Sequence, residues 1–221
     1  MINKIFVIDI CGTIFKSNTT FDFIKFYYAS RFNVRILSTF PVKVVCAILF
    51  KLFGIDVIRP ILLRNLEGVS HSQLKNMADE FYDKFLLPKK NNEVINIINQ
   101  YRAEGYRLIL VSATIDVIAT VVAEKLAITE FISTNLEYEK NICTGKILKD
   151  VYKNKQNILI QTGLLPPYAG IITDNYEDVT IIEQSKEPYL VSYRKTASQS
   201  KNKWREILSP QTYKRCKILN I

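Results

Sequence analysis

Apolar residues along the chain fall into two alternating rhythms. Short runs rich in β-branched residues recur at Ile5–Ile8, Leu108–Val111, Phe131–Ser133, Gly170–Thr173 and Tyr189–Tyr193, each bounded by polar residues. A continuous apolar run of this length reads as a strand buried on both faces. Between the later runs, helical spacing takes over: Val94, Ile95, Ile97, Ile98 and Tyr101, then Val117 to Leu126, then Asn157 to Gly163. Strand and helix in alternation predict an α/β core with a parallel, Rossmann-like sheet. Asp9, Ser112 and Asp174 each follow such a run, which puts them at strand C-terminal ends, the edge where open α/β sheets bind ligands.

From about Phe21 to Leu87 the strand rhythm stops, and Leu74, Met77, Ala78, Phe81 and Phe85 fall at helix spacing. The expected organisation is therefore a discontinuous core, residues 1–20 and 88–193, with residues 21–87 inserted as an α-helical cap. Within the cap, Ile36 to Ile58 is unusually apolar, but Lys43 and Lys51 interrupt it and Pro41 and Gly54 break its regularity. It contains no uncharged run of about 18 residues, the length a membrane span needs. Packing on the core is the simpler expectation, and an amphipathic surface lying on a bilayer the alternative.

Composition adds limits. The chain has 221 residues, 48% of them hydrophobic and 11% aromatic, so it carries enough apolar surface to fold around a core. Four scattered cysteines without a Cys-x-x-Cys pair argue against a disulfide framework or zinc site, and with no signal peptide before Ile5 a cytoplasmic protein is expected. One histidine excludes multi-histidine metal sites, and His71 sits in Ser-His-Ser-Gln, where Ser70 and Gln73 form a capping-box pattern. The net charge of +9 concentrates in a basic tail, residues 194–221, with eight basic side chains and one acidic one, Glu206. A solvated surface accounts for it as well as an anionic partner does. With Trp204 and Tyr213 as its aromatics, Tyr193 just before it, and no recognition motif, nucleic acid is the least expected partner.

Four segments carry candidate chemistry. Phe6-Val7-Ile8-Asp9-Ile10-Cys11-Gly12-Thr13 is a strand ending in a carboxylate that could attack phosphorus, although a strand-end Asp is more often a turn residue. Leu110-Val111-Ser112-Ala113-Thr114 delivers a hydroxyl and backbone N–H groups at an expected helix start, suited to a phosphate oxygen or merely to a cap. Lys153 or Lys155 places a cation near another helix start, where a surface lysine is the default. Thr173-Asp174-Asn175-Tyr176-Glu177-Asp178 ends a strand in acidic residues that can hold Mg²⁺ or simply complement a helix dipole.

In this order, Asp-x-x-Gly-Thr, Val-Ser-Ala-Thr, Lys and Thr-Asp-x-x-x-Asp resemble the four motifs of the haloacid dehalogenase superfamily, over nearly the whole chain. The fragment Phe131 to Ile147, with Ser133-Thr134-Asn135-Leu136 and Thr144-Gly145-Lys146-Ile147, resembles its phosphoserine-phosphatase-like branch. The resemblance implies Asp9 as nucleophile and Mg²⁺ ligand, Thr13, Ser112, Ala113 and Lys155 on the phosphoryl group, Asp174 completing the metal site, and Asp178 behind it. Lys155 is preferred to Lys153 for the apolar helix face of Ile158 and Leu159 that follows it.

The departure is Cys11, where the family's phosphatases carry the aspartate that acts as general acid and base. Its backbone carbonyl would still ligate Mg²⁺, but a thiol is a poor substitute in proton transfer. The expected activity is hydrolysis or transfer of a phosphomonoester through an aspartyl-phosphate on Asp9, weakened by Cys11. The expected substrate is a small or amphiphilic phosphate, with peripheral membrane contact as a further expectation. Phe15 to Phe21 contains no acidic residue, which counts against phosphoserine. The competing reading is a catalytically silent relative that binds a phosphorylated ligand or partner.

Overall fold

The computed structural model describes residues 4–37, 39, 58–193 and 197–221. Seven strands form one sheet in the order β4-β3-β2-β1-β5-β6-β7: β1 Ile5–Ile8, β2 Arg107–Ile115, β3 Glu130–Glu139, β4 Ile142–Lys149, β5 Tyr168–Thr173, β6 Ser185–Ser192 and β7 Lys217–Asn220. All neighbours pair in parallel except β3 with β4. The fold is the expected α/β one, with a mostly parallel, Rossmann-like sheet.

Strand β1 explains the apolar runs. Successive side chains point to opposite faces. Phe6 and Ile8 join the cluster that contains cap residues Phe23, Leu63 and Leu74, while Ile5 and Val7 join the opposite cluster with Ile171, Leu190 and Trp204. Both faces are covered, so all four residues are buried. Helical residues between β1 and β2 thus share one apolar cluster with the sheet. The helix His71–Phe81 buries Leu74, Ala78 and Phe81, and the Ser70 hydroxyl caps it by accepting from the Gln73 N–H at 3.2 Å, which makes His71 a helix-start residue. Most of the apolar stretch Ile36–Ile58 lies outside the described residues. Among the described residues, no helix is long and apolar enough to cross a membrane.

Two elements differ from expectation. The two-residue turn Lys140-Asn141, both at positive φ, folds β3 back onto the unforeseen antiparallel strand β4. The segment expected as a basic tail is built into the fold. Its helix Ala197–Ile207 buries Trp204 completely in the cluster below the sheet, and β7 pairs with β6 from Tyr189↔Lys217 to Ser192↔Asn220. Charge counting missed this because its lysines and arginines are mostly exposed while Trp204, Leu208 and Leu219 face inward.

Candidate active site

Because β1, β2, β5 and β6 run in parallel, their C-terminal ends meet on one edge, and the residues after them converge there. Asp9 follows β1, Asp174 follows β5 and Tyr193 follows β6. With Cys11, Ser112, Ala113 and Lys155 they line one cavity of about 930 Å³, closed on the cap side by Phe21, Ile58, Arg59 and Leu62.

Asp9 is buried, and its own backbone neighbour Ile10 donates an N–H to Oδ1 at 2.9 Å. Lys155, first residue of the helix Lys155–Gln161, is 6% exposed and bridges two carboxylates, with Nζ 3.1 Å from Asp9 Oδ1 and 2.9 Å from Asp178 Oδ2. Thr173 also donates its hydroxyl to Asp178 Oδ2 at 2.7 Å. Asp178 therefore stands behind the lysine and aims it. Burial alone would lower the Lys155 pKa, but the charges of Asp178 and Asp9 outweigh it and hold the ammonium protonated. Lys153, the alternative in the sequence, instead lies with its Nζ 5.7 Å from the Tyr152 ring centre.

Asp174 sits against the turn after β1. Thr13 Oγ1 accepts from the Asp174 N–H at 3.0 Å and donates to its Oδ1 at 3.1 Å. Thr13 is fully buried, so its hydroxyl orients a carboxylate and is not directed at a phosphate, as its motif position had implied. Gly12, at φ +67°, makes the close approach feasible: a Cβ there would lie 2.0 Å from Asp174 Oδ2. Tyr193 donates its hydroxyl to the Gly12 carbonyl at 2.5 Å and pins the same turn. Ser112 lines the cavity as expected, but it lies within β2 and not at a helix start, the following helix beginning only at Asp116. A register shift in β2 between Val111 and Ile115 displaces this segment.

Burial pushes the Asp174 carboxyl up to about 7, and the charge of Asp9 adds to the rise. Burial also raises Asp9, with Lys155 pulling the other way. Asp9, Asp174 and Cys11 line the same cavity, and their two carboxylates with a backbone carbonyl would make an all-oxygen donor set. This fits Mg²⁺, which takes one or two carboxylates and fills its remaining positions with water and substrate phosphate. Among the described residues, no group of three acidic, His or Cys side chains forms a fuller cage.

This geometry sets a pH dependence for metal-free protein. An unfolded carboxyl titrates near 4, whereas folded Asp174 holds its proton up to about 7. A folded pKa above the unfolded one gives stability that is full below the unfolded value and is lost as pH rises through the folded value. In chelator, the Tm should fall by a few degrees between about pH 5 and about pH 8, and Mg²⁺ should restore it at the upper pH. A flat profile in calorimetry would mean that burial and the Asp9 charge do not hold the proton on Asp174.

Cys11 lines the cavity with its Sγ 2.7 Å from Thr19 Oγ1, which in turn lies 2.5 Å from Thr114 Oγ1. Burial and the Asp9 charge raise its pKa, so the thiol stays protonated at neutral pH.

The family is decided by a model match over residues 6–171, described as haloacid dehalogenase-like hydrolase. The chain belongs to this family. No curated protein sequence matches the chain. Among solved structures, a protein of unknown function from Bordetella pertussis Tohama I superposes with a TM-score of 0.72 at 15% identity, covering 100% of this chain and 99% of that one. A HAD family hydrolase from Salmonella enterica subsp. enterica serovar Typhi gives 0.64 at 14%, covering 99% and 68%. A phospho-aspartyl intermediate analogue of phosphoserine phosphatase gives 0.61 at 12%, covering 100% and 94%. At these identities the likeness establishes the haloacid dehalogenase-like fold.

Sequence reasoning missed two cavity residues of this hydrolase, Tyr193 and Arg59, and the buried Thr19 behind Cys11. Tyr193 directly follows a strand of the binding edge, a position that the sheet rule singles out. Thr19 carried no signal beyond a helix start. Arg59 carried none, because its partners lie 54 to 91 residues away.

Proposed function

We propose that this hydrolase is a Mg²⁺-dependent phosphomonoesterase or phosphotransferase that works through an aspartyl-phosphate on Asp9. One observation carries the reading: Asp9 lines the cavity, ion-paired with buried Lys155 at 3.1 Å and on the same strand edge as Asp174. Asp9 Oδ would form the bond to phosphorus while the ester oxygen leaves. Lys155, held from behind by Asp178, neutralises charge on the transferring group, and Ser112 and Ala113 border the space where its oxygens would lie. Asp9, Asp174 and the Cys11 carbonyl would hold Mg²⁺, which supplies further charge neutralisation when bound. The cap contributes Phe21, Ile58 and Leu62 to the wall, in keeping with a small or amphiphilic organic part.

Cys11 occupies the acid/base position of the family's phosphatases. A thiol kept protonated by burial and by Asp9 cannot activate water, so the second step is the slow one for a good leaving group. The same residue supports the second reading, a silent relative that binds a phosphorylated ligand without turning it over.

Incubation with p-nitrophenyl phosphate and Mg²⁺ followed by an acid quench distinguishes the two. Mass spectrometry should find one phosphate on the peptide containing Asp9, absent with chelator and absent from Asp9→Asn. No phosphate on that peptide, with no turnover of sugar, lipid or nucleotide monophosphates, would leave the silent binder.

A further inference from the structure

Arg59 reaches the cavity from the cap helix Ile58–Leu63, and its side chain is only 13% exposed. Its two terminal nitrogens carry four N–H donors. Nη1 donates to both Asp150 oxygens, at 2.7 and 3.0 Å, while Nη2 donates to the Ala113 carbonyl at 2.6 Å and to Thr134 Oγ1 at 2.7 Å. Asp150 is itself fastened, accepting on Oδ1 from the Thr134 hydroxyl at 3.0 Å and from the Tyr152 N–H at 2.9 Å. The cation that the cap presents to the cavity is therefore already matched by a carboxylate of the same chain.

This arrangement bears on what can sit beside the phosphate. A ligand carboxylate seeking Arg59 would have to displace Asp150, trading one carboxylate for another and leaving Asp150 without its counter-ion. That exchange gains little and costs the fastened network. Of the other charged groups on the wall, Lys16 stands over the Tyr193 ring at 4.9 Å and Asp22 accepts from the Ser17 hydroxyl at 2.7 Å. Ile58, Leu62, Phe21 and Tyr176 offer apolar and aromatic surface.

We propose that Asp150 is a built-in occupant of Arg59, so that the cavity selects phosphomonoesters whose organic part is uncharged and disfavours those bearing a carboxylate beside the phosphate, phosphoserine included. Arg59 is then a positioning residue that ties the cap to the Ala113 turn, and Asp150 the residue that sets specificity. The inference rests on the phosphate site of the function proposed above.

Binding of the methylene phosphonates of phenyl phosphate and of phosphoserine, which cannot be hydrolysed, tests it by calorimetry in Mg²⁺, with inorganic phosphate as reference. In the intact chain, the phenyl compound should bind at least about tenfold more tightly than the phosphoserine compound. Asp150→Asn keeps an acceptor for Thr134 and Tyr152 but frees the Arg59 charge. It should tighten the phosphoserine compound about tenfold, the worth of a charge-assisted hydrogen bond, while the phenyl compound and phosphate change little. Adding Arg59→Met to that variant should erase the gain. Equal or tighter binding of the phosphoserine compound to the intact chain, or no gain in Asp150→Asn, overturns the proposal. If phosphate and both phosphonates fail to bind, the phosphate site itself is wrong and the proposal falls with it.

Discussion

Cys11→Asp is expected to raise phosphatase turnover by about 10²–10⁴-fold, the usual contribution of a general acid/base. The position is built for such a group. It lies two residues beyond Asp9 in the same cavity wall, and Thr19 Oγ1, at 2.7 Å from the thiol, can donate to a carboxylate as readily as to sulfur. The thiol fails on chemistry: burial first, and the Asp9 charge second, push its pKa up and keep the proton on sulfur. An aryl phosphate needs no acid to expel its leaving group, so with that substrate the gain should appear in hydrolysis of the intermediate, and the phosphate trapped on Asp9 should disappear. With an alkyl phosphate the new acid also speeds formation of the intermediate. Steady-state rates on both ester types, beside the acid-quench measurement, separate these effects. Absence of any gain on every phosphate tested, with Asp9→Asn leaving the biological role intact, would sink the enzyme reading.

Lys155→Met should cost about 3–5 kcal/mol of stability at neutral pH, the usual penalty for breaking a buried ion pair by removing one partner. The methionine fills similar volume, but Asp9 and Asp178 lose the cation that stands between them, and both carboxylates are buried. Because the folded Lys155 pKa is raised, its contribution is fully present below the unfolded lysine value near 10.4 and fades only as pH rises through the folded one. The variant's deficit should shrink toward acid pH as the stranded Asp9 carboxylate takes up a proton. Urea unfolding in chelator at neutral and acid pH reads this directly. A loss under about 1 kcal/mol, the range of an exposed pair, would mean that solvent screens the site. Turnover should fall by about 10²–10³-fold as well, as when one stabilising donor is removed from developing charge.

Much of the site was legible because its chemistry sits next to local pattern. A four-residue apolar run ending in Asp9, and another ending at Asp174, mark strand ends whatever else the chain does, since a strand buried on both faces must be apolar throughout. The lysine was legible only as a choice of two. Lys155 opens a helix and lies inside, whereas Lys153, at φ +56°, sits on the preceding turn, and two residues of backbone geometry decide between them.

What the sequence by itself determined was therefore the α/β alternation, the strand edge that bears Asp9 and Asp174, and the thiol at position 11. Tertiary structure alone turned Thr13 from an expected phosphate contact into the support of Asp174, drew Trp204 and β7 of the supposed tail into the fold, and brought Arg59 to Asp150. The physical reason is range. Strand and helix patterns are written within a few neighbouring residues, but a hydroxyl, an indole or a guanidinium has several acceptable partners, and which one it meets depends on packing between segments distant in the chain.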